Sequence, residues 1–124
     1  MNGISHTVDL TDATPTEEQI AIYAVLIRSL RDLAYEHIIF DFRKCDGTAC
    51  GLQFFQLCRD GKGIHTEIRT DEPDFTMYSR TVNDDEAITL LREMIETRKT
   101  PDISDWENIT ETVKKGRAYQ GSLI

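Results

Sequence analysis

Two Asp-Gly dipeptides, Asp46-Gly47 and Asp60-Gly61, constrain this chain more than any other feature. Each stands between runs rich in aromatic and aliphatic residues. A two-residue loop with both centres at positive φ matches the right-handed twist of the strands it joins, so Asp-Gly in this setting signals a hairpin. The stretch from Ile38 to Val82 therefore reads as a meander of four antiparallel strands.

The turns set the register. With Asp60-Gly61 as the loop, Leu57 lies opposite Ile64, Gln56 opposite His65, Phe55 opposite Thr66, Phe54 opposite Glu67 and Leu52 opposite Arg69. With Asp46-Gly47 as the loop, Phe40 faces Gln53 and Ile38 faces Phe55. Directly opposed residues share a side of the sheet, so Ile38, Phe40, Phe42, Phe55, Leu57, Ile64 and Ile68 form the core face. A loop of Asp71-Glu72-Pro73-Asp74 leads into a fourth strand over about Phe75 to Val82, pairs Ile68 with Met77 and adds Phe75 to the core face. The other face gathers Asp41, Arg43, Gln56, His65, Glu67, Arg69, Tyr78 and Arg80, beside an apolar patch of Ile39, Leu52 and Phe54. The fourth strand depends on the length of its loop, because a slip of one residue carries its side chains to the other face.

Helices flank the meander. Thr14-Pro15-Thr16-Glu17 reads as a helix start, with Thr14 as N-cap, Pro15 in the first helical position and Glu17 closing a capping box. This helix runs to about Ala34, and Ile20, Tyr23, Ala24, Ile27, Leu30, Leu33 and Ala34 share one side. Ile22, Val25 and Leu26 widen the stripe, which predicts a helix buried over a broad face or one engaged in an oligomer contact; burial is the simpler reading. Asn83-Asp84-Asp85-Glu86 repeats the capping signal, with acids in the first turn where the dipole favours them. Ile88, Leu91, Met94 and Ile95 form its buried stripe, Arg98 and Lys99 suit its end, and Pro101 stops it. Ser104-Asp105-Trp106-Glu107 begins a third, shorter helix with Trp106, Ile109 and Val113 on one side and Gly116 as its cap. The expected fold is α+β: a four-stranded antiparallel meander sheet with an N-terminal helix and two C-terminal helices packed mainly on one face. Residues 1–124 make one domain, with residues 1–13 as an arm and 117–124 as a tail, each either flexible or docked.

Acidic residues outnumber basic ones 22 to 14. That balance disfavours nucleic acid, whose phosphates need clustered Lys and Arg, and suits a basic protein partner. The acids are unevenly placed: residues 71–112 hold twelve against four bases, whereas residues 37–70 hold four against five. No apolar run approaches the ~20 residues of a membrane span, and the N-terminus lacks a basic start and an apolar core. A cytoplasmic protein with no membrane partner is expected, and three cysteines, an odd number, suit reduced thiols.

The candidate chemistry is sparse. Cys45, Cys50 and Cys58 with His37 or His65 raise the question of zinc. Cys50 and Cys58 stand at opposite ends of one strand, roughly 26 Å apart at ~3.3 Å per residue, and Cys45 with Cys50 supplies too few ligands for a tetrahedral site. No metal and no cofactor are expected, and the cysteines read as small hydrophobes or inert thiols. On the polar face His65 beside Glu67 could serve as a general base, with Tyr78 and Arg80 holding an anion. A solvated sheet face needs the same alternating charges, and no nucleophile motif, phosphate loop or paired-histidine zinc motif accompanies them. The candidate partner-binding residues are His65, Glu67, Arg69, Tyr78 and Arg80, with Asp71, Glu72 and Asp74 from the acidic loop. Ile39, Leu52 and Phe54 are the candidate self-contact of a homodimer.

Leu90-Leu91-Arg92-Glu93-Met94-Ile95 followed by Pro101-Asp102-Ile103-Ser104-Asp105-Trp106-Glu107-Asn108-Ile109 resembles the ending of many small uncharacterised bacterial proteins, some of which resemble immunity proteins of polymorphic toxin and contact-dependent inhibition systems. The likeness is one of pattern over about the C-terminal half, and no functional residue carries over. It implies a cytosolic, non-enzymatic protein whose acidic surface faces a basic toxin domain. Two alternatives stand beside it: a homo-oligomeric accessory protein, and a small hydrolase or ligand-binding protein centred on His65 and Glu67, which requires a concavity over those residues.

Overall fold

A computed structural model of the chain describes residues 5–10, 14–30, 36–42, 51–61, 63–71 and 75–115. In order, the elements are β1 (Ser5–Asp9), α1 (Glu17–Ser29), β2 (His37–Asp41), β3 (Leu52–Asp60), β4 (Gly63–Thr70), β5 (Thr76–Val82), α2 (Asp84–Thr97) and β6 (Glu107–Asn108). A helix over residues 110–115, α3, follows. The strands form a single six-stranded sheet in chain order. It is not the expected four-stranded antiparallel sheet. The arm supplies β1, which pairs parallel with β2 through the α1 crossover, and β6 adds a short antiparallel pair beyond β5.

The meander itself is present, with its register moved by two residues. Cys58 pairs with His65, Gln56 with Glu67 and Phe55 with Ile68 in the β3–β4 ladder, and Ile38 pairs with Leu57 across β2 and β3. Asp60 pairs with Gly63, so Asp60 belongs to the ladder and Asp60-Gly61 is not the two-residue loop. A Cβ on Gly63 would stand 2.7 Å from the Val82 carbonyl oxygen, so glycine lets β5 come close at this point. A shift of two leaves every side chain on its expected face. Ile38, Phe40, Phe42, Phe55, Leu57, Ile64 and Ile68 are all buried. The Asp46-Gly47 turn lies outside the described residues.

Two local irregularities undo other expectations. Gly51 takes a left-handed φ of 83°, and the β3–β4 register breaks between Leu52 and Phe54. One extra residue on β3 turns Leu52 inward, and it is wholly buried instead of joining Ile39 and Phe54. Between β4 and β5 the last pair is Thr70 with Thr76, so the loop is one residue longer than expected and Ile68 meets Tyr78, not Met77. Tyr78 and Arg80 therefore lie on the core face, whereas Met77 and Ser79 share the side of Glu67 and Arg69. Phe75 leaves the core face to lie under the Arg69 guanidinium.

α1 and α2 pack side by side on the core face. α1 starts two residues later than expected, with Thr16 as N-cap in a capping box with Gln19. Its Ile20, Ile27 and Leu30 enter the core and Tyr23 meets Phe40 edge-on. Ile22 and Val25 stay 58% and 62% exposed, so burial over a broad face does not hold for them; residues 31–35 lie outside the described part. Arg59 of β3 donates to the Leu30 carbonyl at the end of α1. α2 is capped by Asn83, whose side chain accepts from the Glu86 amide, and buries Ala87, Leu91, Met94 and Ile95. It ends at Arg98 in the left-handed region. The Arg98 guanidinium bonds the Leu10 carbonyl and lies over Phe42, tying α2 to both N-terminal strands.

The third helix does not start at Ser104. Residues 104–106 turn, Glu107 and Asn108 pair with β5, and only then does α3 begin. Trp106 joins the core cluster all the same, and the Thr110 hydroxyl accepts from the Met77 amide at the sheet edge. No helix among the described residues is long and apolar enough to cross a membrane.

Candidate binding face

The side of the sheet turned away from α1 and α2 is built in rows by the strand register. One row runs Ser5, His37, Cys58, His65, Thr81; the next runs Thr7, Ile39, Gln56, Glu67, Ser79, Glu107; the third runs Asp9, Asp41, Phe54, Arg69, Met77. Each row crosses neighbouring strands, so successive side chains stand within contact range, ~5 Å between Cβ atoms.

His65, Glu67 and Arg69 thus lie on one strand and one face, as the hairpin pattern requires. His65 Nε2 is 3.9 Å from Glu67 Oε1, with the two side chains 34% and 21% exposed. Arg69 donates from Nε and Nη2 to the two Asp71 oxygens at 3.1 and 3.3 Å, and its guanidinium carbon lies 4.7 Å from the centre of the Phe75 ring. A carboxylate on one edge and an aromatic ring on one face hold this guanidinium still. Glu72 and Asp74 lie outside the described residues. Tyr78 packs against the core cluster, and Arg80 pairs with Glu86 of α2 at 3.6 Å. Neither belongs to this face.

The face carries a concavity of about 280 Å³ lined by Thr7, Ile39, Asp41, Gln53, Phe54, Gln56 and Arg69. Ile39 and Phe54 furnish apolar walls, Asp41 and Arg69 opposite charges, and Gln53 and Gln56 amides. A space of this size takes one large side chain or a small molecule rather than a chain segment. Its lining does not include His65 or Glu67; a second cavity is lined by Leu30, Arg59, Gly63 and Ile64, and a third by Arg80, Asn83, Glu86 and Leu90.

Sequence reasoning missed the neighbour of His65. Cys58 stands between His37 and His65 in the first row, where the expected register sets Gln56. Burial first, then Glu67, Asp60 and Glu36, push the Cys58 thiol up, so it stays protonated at neutral pH. Cys45 and Cys50 lie outside the described residues, and no group of three metal-ligating side chains converges among the described ones. Comparison with protein-family models, curated proteins and solved structures finds no match.

Proposed function

We propose that this chain is a non-catalytic binding module that holds a basic protein partner on the open face of its sheet, with one partner side chain seated between Ile39, Phe54, Asp41 and Arg69. The carrying observation is that concavity. Its apolar walls suit the stem of a long side chain, while Arg69, pinned by Asp71 and Phe75, is ordered before binding and loses little freedom on it. The formal charge of −8 steers a basic partner toward the molecule. Toxin neutralisation in the cytoplasm, the role that a likeness to small uncharacterised proteins of the toxin-immunity type implies, is the form of binding that fits an acidic protein of this size. A hydrolase centred on His65 and Glu67 has less support, since the concavity opens elsewhere on the face.

The test coexpresses the chain with the proteins encoded beside it and measures affinity for whichever one binds. Phe54→Asp should weaken binding at least about tenfold, the cost of losing a central anchor, without changing the melting temperature by more than a few degrees. Higher salt should slow association. Full affinity in Phe54→Asp, with loss on changing Leu90, which lines a cavity with Arg80, Asn83 and Glu86, would place the partner on α2 and end this reading.

A further inference from the structure

The concavity on the open face carries more unanswered hydrogen-bonding groups than an apolar seat needs. Arg69 gives Nε and Nη2 to Asp71, which leaves the two N–H donors of its Nη1 to the cavity it lines. The Gln53 and Gln56 carboxamides line the same space, each with a donor and an acceptor end, and neither makes a hydrogen bond among the described residues. The same holds for the hydroxyl of the exposed Thr7. Asp41 also borders the space and already has an interaction of its own. Against these polar groups stand the half-buried walls Ile39 and Phe54.

We infer that the partner side chain this concavity takes is a tyrosine, whose ring lies against Ile39 and Phe54 and whose hydroxyl donates to the Gln56 carboxamide oxygen and accepts from Arg69 Nη1. The inference rests on the partner-binding reading above and names the residue that the partner brings. A phenol combines a large flat apolar body with an oxygen that both gives and takes a hydrogen bond. The strand register sets the two groups it needs at the right span. Gln56 pairs with Glu67 and Phe54 with Arg69, so Gln56 and Arg69 are diagonal neighbours, ~7–8 Å apart. One oxygen placed between two such long side chains reaches both. The space, about 280 Å³, has room for the ring, and Phe54 can meet it edge-on, as Tyr23 meets Phe40 on the core side of the sheet.

Other side chains leave part of this lining unmet. Lysine and arginine carry donors alone and would set a second cation against the Arg69 guanidinium. A carboxylate answers Arg69 but is repelled by a molecule of formal charge −8. Leucine and phenylalanine fill the walls yet strip water from the Gln56 carboxamide and Arg69 Nη1 without replacing it, and an unmet polar group under cover costs more than a hydrogen bond ordinarily contributes. Tryptophan offers an N–H alone, which Gln56 accepts and Arg69 cannot. The positive charge that an acidic chain attracts therefore belongs to the partner's surface around the anchor, while the anchor itself is a neutral aromatic, the arrangement of a hot spot inside a polar rim.

Titration of the isotopically labelled full chain with N-acetyl-tyrosinamide, N-acetyl-phenylalaninamide and N-acetyl-lysinamide, followed by NMR on the Gln53 and Gln56 side-chain amides and on Arg69 Nε, tests this. The tyrosine probe should shift those signals and saturate in the millimolar range expected of so small a ligand. It should bind at least about fivefold more tightly than the phenylalanine probe. Gln56→Met keeps the length of the side chain and removes the carboxamide; it should bring the two probes to within about twofold at an unchanged melting temperature. Phe54→Asp should abolish the binding of both. A phenylalanine or lysine probe held as tightly as the tyrosine one overturns the inference and leaves the concavity as the seat of another side chain. A preference unchanged in Gln56→Met overturns it as well. So do shifts that fall away from the cavity, or none at all, in which case Phe54→Asp in the coexpression assay decides separately whether the partner-binding reading stands.

Discussion

Cys58 stands between His37 and His65 in one row of the open face, yet it is poorly suited to react. Desolvation leads the rise of its pKa, and Glu67, Asp60 and Glu36 add to it, whereas a reactive cysteine needs a positive neighbourhood. With Cys45 and Cys50 replaced by serine, the pH-rate profile of alkylation should show a midpoint above that of a free cysteine, and Glu67→Gln should lower it. A midpoint at or below the free value would contradict this environment. The sign for stability follows from the same direction. The folded thiol holds its proton more tightly than the unfolded one, so its contribution is intact below the unfolded pKa and is lost as pH rises through the folded one. Cys58→Ala should therefore reduce the alkaline loss of stability.

At the scale of elements, a single residue decides which side chains meet. Leu52 and Phe54 would share a face on a regular strand, but the irregularity between them sends Leu52 into the core and leaves Phe54 at the cavity. Leu52→Ala should cost about 2–5 kcal/mol as a core cavity, and Phe54→Ala distinctly less, measured by urea unfolding; equal costs would mean a regular strand. The Asn83 cap gives a second check, since Asn83→Ala should cost about 1 kcal/mol and Asn83→Ser recover most of it. The core-face set from Ile38 to Ile68 was legible because alternation survives a register error of two. Tyr78 and Arg80 were not, because the five residues between Thr70 and Thr76 carry no turn signal that fixes their number, and an odd error reverses the faces. The helix stripes were legible in Ile20, Ile27, Leu91 and Met94. The start of α1 was misread because two Thr residues compete for the cap and each has a box partner three residues on, Glu17 for Thr14 and Gln19 for Thr16. β6 was invisible for a different reason: a strand of 2 residues has no period.

Across the whole molecule, β1 is the strand that local signals could not place, because a parallel partner is chosen through a crossover and not through a tight turn. His6 and Val8 alternate toward the core, but the pairing of Val8 with Phe40 spans the whole of α1. The same separation governs how the chain folds. Contacts of β3 with β4 close a short loop, whereas those of β1 with β2 must first close one more than twenty residues longer, at an entropic cost that grows slowly but is met before the contacts form. The β3–β4–β5 hairpins are therefore expected in the folding nucleus, with β1 docking late. In denaturant-jump kinetics, Ile68→Val should slow folding with little effect on unfolding. Val8→Ala should speed unfolding while the folding rate stays within about twofold. The reverse assignment, with Val8 controlling the folding rate, would mean that the β1–α1–β2 crossover forms first and that the sheet grows from its edge inward.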